Sequence, residues 1–172
     1  LKHTALIDVV MQGGLHTAIW LYNQKHSTRL KMEDGPLAIV ARGGYGREEV
    51  YFASDADIQA VSRVPKSEDA RELVAEISGY FEYLLVHQGI FRTTCNFSHT
   101  EAEDKGLKLD APRMTVFYAL MENRLGAGNP AVYNEFRDSI KAASARHGDE
   151  ILAWCMAQKS CYDVQNTVFQ QE

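Results

Sequence analysis

A chain of 172 residues with a formal net charge of −5 suits one domain, or one small domain with a helical extension. A chain of that length buries roughly 70% of its unfolded surface, so its core needs no disulfide or metal staple. The acidic balance, with 24% charged and 45% hydrophobic residues, argues against a protein that wraps duplex nucleic acid, which needs a basic stripe. A nucleotide stays possible as a substrate, because a metal can neutralise phosphate charge locally. No apolar run approaches the ~20 residues that span a bilayer, so no membrane segment is expected. Cys95, Cys155 and Cys161 show no metal-ligand spacing and read as reduced thiols of a cytoplasmic protein. The N-terminus is amphipathic, carries no signal peptide and begins with Leu1 rather than Met.

In chain order, the first thirty residues read as helix, with Leu6, Val9, Val10, Leu15, Ala18, Ile19 and Leu21 at helical spacing. Gly13-Gly14 is expected to break or kink that helix into two pieces. Asp34-Gly35-Pro36 is a turn signal. Leu37 to Ala41 is uniformly apolar, as a strand buried on both faces is. A glycine-rich turn, Gly43 to Gly46, follows. Asp55 to Val61 alternates polar and apolar residues, as a half-buried strand does. Ser67 is placed to cap a helix running to about Val86, with Glu68 and Asp69 in its first turn. Ile90 to Phe97 reads as a third strand. After Asp110 the pattern is helical throughout: about Ala111 to Leu125, Pro130 to Ala145, and Gly148 to Val168.

The residues able to do chemistry gather between the first two strands. Asp55 and Asp57 are two apart at the start of a strand, so both carboxylates point to one face. Like charges held that close are costly unless a cation sits between them, and a pair of oxygen ligands suits Mg²⁺. Gly43 and Gly44 let backbone N–H groups approach phosphate oxygens with no Cβ in the way. The turn matches neither the P-loop nor the dinucleotide fingerprint. Buried strand, Gly-Gly, Ser54-Asp55-Ala56-Asp57 and a second strand are together what a metal-assisted phosphoryl or nucleotidyl transfer site needs.

Ala41-Arg42-Gly43-Gly44-Tyr45-Gly46-Arg47-Glu48-Glu49, followed by Ser54-Asp55-Ala56-Asp57-Ile58, resembles the signature of the DNA polymerase β-like nucleotidyltransferase superfamily, most of all the bacterial PII uridylyltransferases. Phe91-Arg92-Thr93, Met121 to Asn129 and Asn166 to Glu172 resemble later segments of that family, so the likeness runs from about residue 37 onward. The resemblance implies an α+β fold: a small mixed-sheet nucleotidyltransferase core flanked by helices, with a C-terminal helical bundle. The divisions are residues 1–34 (N-terminal helices), 35–108 (core) and 109–172 (bundle), the bundle being expected to continue in a longer protein. It also implies Asp55 and Asp57 as catalytic, metal-bearing residues for Mg²⁺ (or Mn²⁺). Gly43, Gly44, Arg47 and Ser54 are implied as nucleotide-binding. The reaction implied is attack of an acceptor oxygen on the α-phosphate of a nucleoside triphosphate, the acceptor being a PII-like signalling protein.

The chain departs from that pattern in three places, one of them Gly89-Ile90-Phe91, where the family often has Gly-His-Ser. The family's third carboxylate has no counterpart in the third strand, and neither Glu82 nor Glu101 is well placed for it. The family glycine after Arg47 is Glu48. The six histidines form no pair at metal-binding spacing. Two other functions stay open: a nucleotide-binding regulatory module that has lost turnover, and a small-molecule nucleotidyltransferase.

Overall fold

Five consecutive apolar residues have no polar face to turn to water, and Leu37–Ala41 is accordingly buried along its whole length as strand β1. Leu37, Ile39 and Ala41 pack into one apolar cluster and Ala38 and Val40 into another, so β1 is the wall between two cores. The structure, a computed structural model, describes residues 2–49, 56–87, 95–99 and 120–157. Three more strands join β1: β2 (Ile58–Ser62), β3 (Cys95–His99) and β4 (Arg124–Gly128). They form a mixed sheet in the order β3-β2-β1-β4. β1 is antiparallel to both β2 and β4, and β2 is parallel to β3. With the helices on its faces this is an α+β fold, as expected.

One face carries α1 (Lys2–His26) and α3 (Glu68–Glu82), the latter continued by a π-helical turn, Tyr83–His87. Ile7, Met11, Leu15, Ala18 and Ile19 of α1 meet Ile77, Phe81 and Leu85 across Leu37, Ile39, Ile58 and Ala60. The other face carries α4 (Pro130–Arg146), whose Val132, Phe136, Ile140 and Ala143 cover Ala38, Val40 and Val61. Ile151, from the helical residues 148–157, joins that second core. Both caps are side-chain built. Ser67 Oγ accepts from the Ala70 amide at 3.1 Å. Asn129 Oδ1 accepts from Ala131 at 2.9 Å while its Nδ2 donates to Gly35 O at 2.8 Å, tying the start of α4 to the turn before β1.

Four expectations are corrected. Helix α1 is not broken at Gly13-Gly14. A Cβ on Gly14 would lie 3.1 Å from Leu85, so close packing against the π-helical turn uses that glycine and holds the helix through it. Its buried stripe is Thr4, Ile7, Met11, Leu15 and Ala18, whereas Leu6 and Val9 are exposed. Strand β2 is buried on both faces rather than half-buried, because α4 also covers the side that carries Gln59. Of the expected strand Ile90 to Phe97, residues 90–94 lie outside the described residues, and the strand runs on to His99. The helix expected to reach Leu125 ends earlier, and Arg124–Gly128 is a strand paired with β1. Its glycines at 126 and 128 disfavour helix, and β1 offers an open edge for pairing.

Helices α1 and α3 are also tied by charge. Glu76 accepts from Lys25 at 2.9 Å, from His26 at 2.8 Å and from the Tyr80 hydroxyl at 2.8 Å. The Lys25 hydrogen bond leads in pulling the Glu76 carboxyl down to about 2, with His26 and Tyr80 adding to it against a smaller opposing effect of burial. A depressed carboxyl pKa stabilises the fold above the unfolded value and loses that effect as pH falls through the folded value. Wild type should therefore exceed Glu76→Gln in stability at pH 7, by a modest margin because Lys25 is exposed. In urea titrations across pH the margin should shrink below about pH 4.5 and be gone near pH 2.

Candidate functional site

The chain leaves β1 through a single tight turn of helix, α2 (Gly43–Gly46), entered from extended Arg42. Its three glycines have different reasons to be there. Gly43 has φ +56, a left-handed conformation that a side chain resists. Gly46 lies against the backbone before β4, where a Cβ would sit 1.9 Å from Glu122 O. Gly44 is required by neither condition. Its φ is not positive, and among the described residues a Cβ there would meet nothing nearer than Glu49 O at 3.7 Å and an Arg47 Nη at 3.9 Å. The open face of Gly44 thus lies beneath the Arg47 guanidinium.

Three elements hold this turn in place. Tyr45, fully buried, donates its hydroxyl to Asp8 Oδ1 of α1 at 2.7 Å, and Arg124 of β4 donates to the same oxygen at 2.7 Å. The Arg124 guanidinium also stacks over the Tyr45 ring, 4.9 Å from its centroid. Burial, then the Asp8 carboxylate, raise the Tyr45 phenol well above its ordinary pKa, so it stays a donor. Arg47 bonds Glu49 at 2.7 Å and also pairs with Glu122. Glu48, at the position of the family glycine, has φ +63. Its backbone explains why glycine suits that place.

Beyond Ala41 the β1–β2 ladder continues by one bond, from Arg42 N to Asp57 O at 3.0 Å. The register that pairs Ala41 with Ile58 therefore places Arg42 directly opposite Asp57, with both side chains on the α4 face of the sheet. That face is apolar at Ala38 and Val61 and becomes polar towards the turn, at Gln59, Arg42 and Asp57. Arg42 is only 6% exposed, yet it makes one long hydrogen bond, 3.4 Å to Gln59 Oε1, and its Nε has no partner. Asp57 is half-buried.

Of the residues expected from sequence, Gly43, Gly44, Arg47 and Asp57 come together at one end of the sheet. Ser54 and Asp55 lie outside the described residues. Among the described residues no three metal-binding side chains converge. Asp8, Arg42 and Glu49 are the polar residues at this place that sequence reasoning did not single out. Asp8 interrupts an apolar helical stripe and Arg42 ends a buried strand, and each is a polar residue where the pattern calls for none. Glu122, just after helical residues 120–121, and Arg124 of β4 tie the turn to the rest of the fold through Arg47 and Asp8.

No family model matches the chain. Over 114 residues it is 28% identical to the bifunctional uridylyltransferase/uridylyl-removing enzyme of Idiomarina loihiensis. That stretch is 65% of this chain and 12% of the relative, so the chain spans a small part of that protein's length. A likeness of this size supports a nucleotidyltransferase-like relationship. No helix among the described residues is long and apolar enough to cross a membrane.

Gly44, Gly46 and Glu48 should respond differently to substitution. Gly46→Ala must displace the Glu122 backbone and should cost ~2 kcal/mol or more. Gly44→Ala has room and should stay within about 0.5 kcal/mol of wild type. Glu48→Gly relieves a left-handed residue and should gain up to about 1 kcal/mol after the added chain entropy. Urea unfolding of the three variants reads all of these differences. Equal losses at Gly44 and Gly46 would contradict this account of the turn.

Proposed function

We propose that this chain forms the nucleotide-binding part of a metal-dependent nucleotidyltransferase, which moves a nucleoside monophosphate from a nucleoside triphosphate to an acceptor hydroxyl. The observation that carries this reading is Gly44. It is a glycine the fold does not require, with an open face beneath the Arg47 guanidinium and one residue from the polar end of the sheet. A missing Cβ without a structural reason fits a place where phosphate oxygens approach the backbone. The likeness to a uridylyltransferase supports the same chemistry and makes uridylylation of a PII-like signalling protein the finer form of the proposal.

In this reading the amides of Gly43 and Gly44 donate to phosphate oxygens. Arg47 and Ser54 contact the phosphates or support the turn. Asp55 and Asp57 hold Mg²⁺ or Mn²⁺, which when bound supplies positive charge to the phosphates. The acceptor oxygen attacks the α-phosphorus, the bond to the bridging oxygen breaks, and pyrophosphate leaves while the acceptor gives up its proton. The chain's own contribution is to align the triphosphate and to exclude competing geometries.

A second reading, a nucleotide-sensing module without turnover, is favoured by one feature. Arg47 is already engaged by Glu49 and Glu122, and phosphate has to displace a carboxylate to reach it. Calorimetry with each common nucleoside triphosphate, with and without Mg²⁺, tests the site. Wild type should bind in a Mg²⁺-dependent way. Gly44→Ala and the Asp55→Ala/Asp57→Ala pair should each weaken binding by about tenfold or more, with Gly44→Ala unchanged in melting temperature. Binding that survives loss of both aspartates sinks the assignment. Mg²⁺-dependent binding with no transfer in the full-length protein favours the sensing module.

A further inference from the structure

Arg42 is the one described arginine that is almost wholly covered, at 6% exposure. A guanidinium taken out of water is expensive unless a carboxylate or several acceptors receive its donors. Here its Nη1 reaches Gln59 Oε1 at 3.4 Å, Nε has no partner, and among the described residues no carboxylate stands within ion-pair distance. Asp57 stands directly across the ladder, where an Arg–Asp pair would normally close. It is left open, although the backbone bond at 3.0 Å fixes the two residues side by side.

This cation sits at the first residue before Gly43, on the face of the sheet that carries Asp57. The other arginines near the turn are engaged: Arg47 with Glu49 and Glu122, and Arg124 with Asp8. Among the described residues Arg42 is therefore the arginine at this place with no carboxylate partner.

We propose that Arg42 is a phosphate-binding residue, whose guanidinium receives a phosphate oxygen of a polyphosphate chain laid along Gly43-Gly44 opposite Asp57. It deepens the nucleotide reading of the same turn and rests on it for the identity of the ligand. The chemistry it recognises is a multiply charged phosphate anion, and its planar donors suit two oxygens of one phosphate or one oxygen from each of two.

A buried cation with no counter-ion among the described residues also makes a prediction about the free protein. Replacing it by a neutral side chain of similar length should not destabilise, and binding should suffer instead. The test uses Arg42→Met and Arg42→Lys with inorganic tripolyphosphate and with nucleoside triphosphates, both with Mg²⁺, below the melting transition of every variant. Expected are a melting temperature for ligand-free Arg42→Met no lower than wild type, and affinity for both anions lower by about tenfold or more. Arg42→Lys should recover part of that affinity.

Wild-type affinity in Arg42→Met overturns the proposal, and so does failure of Arg42→Met to fold, which would make the charge structural. Wild type binding tripolyphosphate but no nucleoside triphosphate sinks the nucleotide reading, while the tripolyphosphate comparison still decides Arg42. Wild type binding neither anion sinks both.

Discussion

A single carboxylate oxygen, Oδ1 of Asp8, receives the Tyr45 hydroxyl and the Arg124 guanidinium, each at 2.7 Å. Through it the N-terminal helix, the glycine turn and the strand β4 share one partly covered charged contact, at which the carboxylate is neutralised. Its geometry decides where the backbone of Gly43 to Gly46 lies. Tyr45 is the buried anchor of that turn, and Gly46 can press against Glu122 O only while β4 is held where Arg124 puts it. The turn is thus not a loose loop over a sheet. It is pinned from the α1 side by Asp8 and from the β4 side by Glu122 and Arg124, with only the Gly44 face left open.

The sheet supplies the second constraint. β1 divides the interior, and its neighbour β2 is buried on both sides as well. On the α1 and α3 side the core is apolar up to the turn, with Ala41, Ala56 and Ile58 all buried. On the α4 side the apolar contacts of Ala38, Val40 and Val61 give way to Gln59, Arg42 and Asp57. The polar residues are collected at one end of one face, beside the glycine turn. They make poor packing, since burying Arg42 and Gln59 gains little apolar contact and leaves donors unused.

Much of this was legible in the residues, and the exceptions have physical reasons. Leu37–Ala41 announced a doubly buried strand because nothing in it could face water. Ser67 announced a helix start because capping chemistry is local, and the helix read from Pro130 does begin there. Strand β4 was not legible. Arg-Leu-Gly-Ala-Gly has no β-branched residue and no alternation, and it is a strand only because β1 offers it a partner. The continuity of α1 was hidden for a similar reason, since the packing of Leu85 on Gly14 lies far away in the chain. Within the site, the glycines and Asp57 carried a recognisable pattern. Asp8 and Arg42 carried none, because a lone polar residue in an apolar stretch acquires meaning only when its neighbours in space are known.

Gly43 and Gly46 are held by the fold, through a left-handed backbone and a close backbone contact. In the proposed function Gly44 is the glycine kept for a ligand. Backbone amide chemical-shift mapping tests that claim most directly. On titration with a Mg²⁺–nucleoside triphosphate, the account predicts shifts concentrated on Arg42, Gly43, Gly44 and Asp57, with the exposed faces of α1 and α3 silent. Shifts confined to those helices, with the amides of Gly43 and Gly44 unmoved, would contradict it.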